Sequence, residues 1–261
     1  FRRVLFRSAM GFPERPKPPT ASAPPKTESV IYCEMGKGQR KVYETVKKQY
    51  REYLLNKIGA DGISKSQLSI LEGLTKLRQI CNSPAMLEDA DYGSESVKLD
   101  TLMENIKEKT GQHKILVFSS FVKMLSLIES RLKAEQIAYE YLDGRSRKRQ
   151  EKVENFQSNH HIRVFLISTK AGGTGLNLTE ADYVFIVDPW WNPAVENQAV
   201  DRCYRIGQTK HVMAYRMICR DSIEEKILAL QQKKQSIADS IVSVDEEKKS
   251  FDLDEVRQLF A

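Results

Sequence analysis

The run Lys114–Ser120, KILVFSS, constrains the fold more than any other stretch of the 261-residue chain. Four consecutive apolar residues with no polar alternation have no face to offer to water, so they suit a parallel strand buried on both sides. An amphipathic helix is predicted next, over Phe121–Ala134, and the alternation then repeats. Strands are expected at Ala138–Leu142, Arg163–Ser168, Tyr183–Val187 and Val212–Ile218, with helices at Ser146–Phe156 and between Asn192 and Gly207. Strands alternating with helices indicate an α/β fold: an open, mostly parallel sheet with right-handed crossovers and helices on both faces. Such sheets bind ligands beyond the carboxyl ends of their strands. Ser119-Ser120, Asp143-Gly144-Arg145-Ser146, Ser168-Thr169-Lys170 and Asp188 all fall there.

Five regions are expected. Residues 1–28 hold six of the nine prolines and little periodicity, and read as a linker or disordered lead-in. Residues 29–112 begin with a short β-prone run, Ser29–Glu34, and continue as an all-helical segment. In it a helix from Lys37 to about Ile58 places Val42, Val46, Tyr50 and Leu54 four apart, and one from about Ser64 to Ile80 carries Leu71, Leu74 and Leu77. A shorter third spans Ser96–Lys109. Residues 113–220 form the α/β lobe. Residues 221–244 read as one long helix, with Ser222 and Glu225 as its capping box and Ile223, Ile227, Leu230, Ile237 and Ile241 along one side. Residues 245–261 are an acidic tail ending in a short amphipathic helix, Leu253–Phe260.

Composition narrows the function classes. No apolar run approaches the ~20 residues that span a bilayer. The start has no uninterrupted apolar core, so no secretory signal is expected. Cys33, Cys81, Cys203 and Cys219 are far apart and form no CxxC, which makes reduced thiols in an intracellular protein the default and a structural metal unexpected. The net charge of +6 is compatible with nucleic acid without requiring it.

Two stretches carry the chemistry. STKAGGTGLNL, Ser168–Leu178, follows a strand, and its glycines let a backbone approach a phosphate or simply turn tightly. It is neither a dinucleotide fingerprint nor a Walker A loop, and no GxxxxGK[ST] occurs anywhere in the chain. A strand ending in paired acids that would hold Mg²⁺ is missing as well. The second stretch is Trp190–Gln208, WWNPAVENQAVDRCYRIGQ. With Asn192 as N-cap, Pro193 inside the helix and Gly207 past its end, Gln198, Arg202 and Arg205 share one face. That face either presents two guanidiniums to a phosphate chain or is a solvated helix with Asp201 paired to Arg205. Trp190 and Trp191 sit at a strand end, where one can stack on a base or both can pack.

Taken in this order, the clusters resemble the C-terminal motor lobe of SWI/SNF-type ATP-dependent DNA translocases, a branch of helicase superfamily two. KILVFSSF is similar to that family's motif IV, YLDGRSR to motif IVa, LISTKAGGTGLNL to motif V and QAVDRCYRIGQ to motif VI. PPKTE at 24–28, the helical segment to Pro84 and DSIEEKI at 221–227 also match, whereas residues 1–23 do not continue the pattern. The family usually has Gln where this chain has Ser120.

The resemblance implies a RecA-like lobe, with 37–84 as a helical protrusion and Ser222–Val242 as a brace helix. It implies Arg202 and Arg205 as arginines reaching the γ-phosphate of ATP, with Gly173, Gly175 and Gln198 beside the nucleotide. Ser119, Ser120, Gly144, Arg145, Ser146, Thr169, Lys170 and Trp191 fall where the family meets DNA. The expected cofactor is ATP with Mg²⁺ held by an N-terminal RecA-like lobe, and the expected partners are that lobe, double-stranded DNA and a DNA-bound protein complex as remodelling target. Other readings are a strand-separating RNA or DNA helicase, a non-catalytic nucleic-acid-binding module, and, disfavoured by the glycine pattern, a dinucleotide enzyme. With no histone-reading module, a bacterial cytoplasm or nucleoid is expected, or the nucleus of a eukaryote.

Overall fold

The computed structural model describes residues 25–87, 92–172, 176–189, 197, 200–203, 208–240 and 253–260. Its centre is a six-stranded sheet in the order β1-β6-β5-β2-β4-β3, parallel throughout. The strands are β1 (Lys26–Cys33), β2 (Ile115–Ser119), β3 (Tyr139–Leu142), β4 (Val164–Ser168), β5 (Tyr183–Ile186) and β6 (Val212–Cys219). Every residue of β2 and β4 is buried, as a continuous apolar run requires. All carboxyl ends therefore lie along one rim.

The helices are α1 (Lys37–Asp61), α2 (Ile63–Asn82), α3 (Val97–Lys109), α4 (Val122–Ala134), α5 (Arg149–Ser158), the single turn α6 (Thr169–Gly172), α7 (Ile223–Ser240) and α8 (Leu253–Phe260). Alternation along the strands splits the core into two layers. Ile115, Val117, Val164, Leu166, Phe185 and Met217 face a layer built from α1 to α4, α7 and α8. Leu116, Phe118, Phe165, Ile167, Val184 and Ile186 face Val153 and Phe156 of α5, Ala171 of α6, Val200 and Cys203. The expected α/β architecture with helices on both faces is present.

Several expectations shift. The strand predicted as Ser29–Glu34 begins at Lys26, inside the stretch expected to be lead-in, and pairs in parallel with β6, the last strand in sequence. The helical segment is thus an excursion between two strands of one sheet. Gly62, at φ +79°, separates α1 from α2 and donates its N–H to Ile58 O at 2.9 Å. Leu71 is 44% exposed, while Ile70, Leu74, Leu77, Ile80 and Cys81 form the buried stripe; steps of three drift around a 3.6-residue helix, so Leu71 leaves the face that Leu77 occupies. α5 starts at Arg149 instead of Ser146, because Ser146 is consumed by the preceding turn and Lys148 adopts a left-handed φ of +54°.

At the start of α7, Ser222 Oγ accepts from the Glu224 N–H (3.1 Å), as a cap should, but the Glu225 carboxylate reaches one residue further back, to the N–H of Asp221 (2.7 Å). Ile223 and Ile227 are buried, and Ile241 lies outside the described residues. α8 packs inward through Val256, Leu259 and Phe260, held by Lys226 Nζ on Gln258 O at 2.9 Å.

Candidate nucleic-acid and nucleotide interface

The rim of strand ends divides into an open and a covered part. After β3 the chain turns through Asp143–Ser146. The Asp143 carboxylate accepts from the Arg145 N–H and the Ser146 hydroxyl, both at 2.9 Å, and the Asp143 N–H donates back to Ser146 Oγ at 2.9 Å. Burial pushes this carboxyl up, but the Ser146 hydroxyl and the N–H groups of Arg145 and Ser146 together hold it below its ordinary value. Gly144 and Arg145 are exposed and Ser146 half-buried. Next along the rim, β4 runs into α6, where Thr169 is half-buried and Lys170 exposed. Arg149 Nη2 donates to Ala171 O at 2.6 Å and joins the two turns. A Cβ on Gly172 would stand 2.9 Å from Phe118 Cε1, so only glycine lets this turn close on β2.

The ends of β2 and β5 are covered by the helical excursion. Asp188, 3% exposed, accepts from Ser119 Oγ (2.9 Å), Ser120 N–H (2.9 Å), Ser120 Oγ (3.1 Å) and Asn82 Nδ2 (3.3 Å). Ser119, expected at a DNA phosphate, is fully buried beneath α2, and its hydroxyl goes to Asp188 and Phe121 O. Ser120 is half-buried.

Beneath lies a buried ion pair. Lys98 Nζ donates to Glu224 Oε1 (2.6 Å), Val187 O (2.6 Å) and Asn82 Oδ1 (3.2 Å), while Glu224 Oε2 accepts from Cys219 N–H (2.9 Å). Burial lowers the Lys98 pKa, but the Glu224 carboxylate together with the neighbouring Cys219 and Cys81 outweighs it and holds the ammonium above its ordinary value. Sequence reading named none of Arg78, Asn82, Lys98 and Glu224 as functional, and no local signal marks them.

Cys33, Cys81 and Cys219, distant in sequence, converge here. Cys33 faces Cys219 across β1 and β6, and Cys219 Sγ donates to Cys81 O at 3.2 Å. Burial pushes the Cys33 thiol up to about 11. Cys81, Cys219 and Glu224 place their ligand atoms within 4.8 Å of one another, but the Lys98 ammonium already occupies the cation position against Glu224.

The glycine-rich and arginine stretches meet. Leu178 N–H donates to Arg202 O at 2.9 Å. Asp201 N–H donates to Asn197 O at 2.8 Å, a helical bond, and Gln208 Nε2 donates to Ala181 O (2.8 Å) and Cys203 O (3.1 Å). Val200 and Cys203 are fully buried and Arg202 is 7% exposed. Gly173, Gly175, Trp191, Gln198 and Arg205 lie outside the described residues.

Residues 97–207 match the helicase conserved C-terminal domain, and residues 17–86 the SNF2-related domain; the latter match reaches into the stretch 1–23, where the motif pattern is not expected to continue. The chain is 34% identical to Protein CHROMATIN REMODELING 8 of Arabidopsis thaliana, over 90% of this chain and 20% of that protein. Among solved structures, it resembles the SWI2/SNF2 ATPase C-terminal domain of Sulfolobus solfataricus, with 31% identity, a TM-score of 0.69, and 90% and 97% of the two chains covered. It also resembles the Sulfolobus solfataricus SWI2/SNF2 ATPase core in complex with dsDNA, with 34% identity, a TM-score of 0.68, and 83% and 46% covered. The chain spans about a fifth of the length of the curated relatives it matches, so it corresponds to one part of proteins of that kind.

Proposed function

Because this chain belongs to the SWI2/SNF2 ATPases, as their helicase C-terminal lobe, we propose that it is the second half of an ATP-driven motor that tracks along double-stranded DNA. The observation that carries the reading is the bond from Leu178 N–H to Arg202 O at 2.9 Å, which makes the end of the glycine-rich segment and the arginine stretch one unit. In this reading Arg202 and Arg205 reach the γ-phosphate, with Gly173, Gly175 and Gln198 beside the nucleotide. Arg202 is already largely desolvated, and a guanidinium removed from water stabilises phosphate charge more strongly. ATP, when bound, supplies the free energy that draws two lobes together. No GxxxxGK[ST] is present in this chain, so the opposite lobe grips the phosphates and holds Mg²⁺.

On the DNA side we assign Ser120, Gly144, Arg145, Ser146, Thr169, Lys170 and Trp191 to the phosphates of the tracked strand. Ser119 is left out, since its hydroxyl is spent internally. The dsDNA in the related ATPase core supports this choice of partner. The regions retain their proposed roles: 37–84 the protrusion, 113–220 the RecA-like lobe, 221–244 the brace, and a DNA-bound protein complex the object the motor moves. A domain that binds duplex DNA without hydrolysing ATP is the second reading, favoured for the chain by itself because its sequence carries no Walker lysine.

The test is Arg205→Ala in the two-lobe ATPase. Turnover should fall by about 10³–10⁵ with DNA affinity retained. An unchanged kcat sinks the finger assignment.

A further inference from the structure

Arg78 is the largest fully buried side chain among the described residues, 2% exposed, and the proposed motor chemistry does not use it directly. It projects from α2 to the covered rim, where Nη2 donates to Pro189 O at 2.9 Å and approaches Asp188 O and Ser120 Oγ at 3.5 Å. The guanidinium lies over the Phe121 ring, with Cζ 5.2 Å from its centroid. These contacts fall at a point where the backbone has left the sheet: β5 ends at Ile186, and the carbonyls of Asp188 and Pro189 have no neighbouring strand to bond. Buried carbonyls need a donor, and Pro189 offers no N–H of its own for a turn. A cation from the helical excursion fills that need. Asn82, one turn further along α2, fixes the Asp188 carboxylate at the same time.

We propose that Arg78 is a positioning residue that sets where the chain departs after Pro189, and hence where the stretch Trp190–Gln208 with its two arginines is aimed. This rests on the reading of that stretch as the nucleotide-facing element. Lysine cannot substitute: it lacks the plane that lies on Phe121.

The chain carries its own reporter, since its only two tryptophans, Trp190 and Trp191, are the two residues that follow Pro189. Arg78→Met should shift tryptophan emission and change acrylamide quenching while far-UV circular dichroism is retained, with Arg78→Lys shifting less. Leu77→Ala, a buried neighbour on the same helix, should loosen the core without moving native-state emission. Unchanged emission in either folded Arg78 variant overturns the proposal, as does an equal shift in Leu77→Ala. Should Arg78→Met fail to fold, Arg78→Lys decides alone by the same criterion. In the two-lobe ATPase, Arg78→Lys should lower kcat about tenfold to a hundredfold, the cost of misplacing a catalytic group by about an ångström, with little change in KM for ATP. If Arg205→Ala leaves turnover intact, the finger reading fails, while the fluorescence still judges the clamp.

Discussion

Two strand ends that read alike in sequence have opposite fates. Ser119-Ser120 after β2 and Asp143–Ser146 after β3 are both small polar clusters at the carboxyl rim. The β2 end, together with Asp188, is covered by α2 and saturated by Arg78, Asn82 and its own hydroxyls. The β3 end is the sheet's edge, satisfies its carboxylate within four residues, and leaves Gly144 and Arg145 exposed. What lies above a polar cluster decides its task. The covered one joins parts of the lobe, and the open one faces solvent.

Substitutions should separate the two. The largest effect belongs to the covered side: Lys98→Ala strands Glu224 in a 2% exposed site and should cost about 3–5 kcal/mol in urea unfolding, whereas Lys98→Met with Glu224→Leu should recover most of it. Asp188→Ala leaves the Ser119 hydroxyl and the Ser120 N–H without their acceptor and should cost about 1–3 kcal/mol. On the open side, Arg145→Ala and Lys170→Ala should each change stability by less than about 0.5 kcal/mol. Each should instead flatten the salt dependence of duplex binding by about 0.9 in the log–log slope; an unaltered slope removes that residue from the DNA face. The smallest effect is acid sensitivity at Asp143. Its carboxyl is held below its ordinary value of 3.8, so its contribution is present above that value and fades as pH falls through the lowered folded pKa. Asp143→Asn should erase that part of the acid limb, visible as a shallower fall in Tm at low pH.

The uneven legibility of the chain follows the same division. The unbroken apolar runs in KILVFSS and VFLIS and the helical period in 122–134 are local, and the strands and helices they predict are found within one or two residues. β1 was harder to place, because Lys26-Thr27-Glu28 is polar and becomes strand only by pairing with β6. The start of α5 was misplaced by three residues, since Ser146 caps the Asp143 turn and not the helix. At the site, the glycine-rich and arginine stretches stood out by composition, but Arg78 and Lys98 looked like any basic residue on an amphipathic helix.

The sequence by itself determined the α/β class, the strand ends that carry polar chemistry and the two stretches that meet at Leu178 and Arg202. Periodicity and residue type are properties of neighbours in the chain, and hydrophobic burial acts on them wherever the chain goes. Only the tertiary structure decided that Ser119 turns inward, that Lys98 is buried against Glu224, and that Arg78 holds the backbone at Pro189. Those roles depend on groups 69 to 126 residues apart losing water together, and no local pattern records which partners will do so.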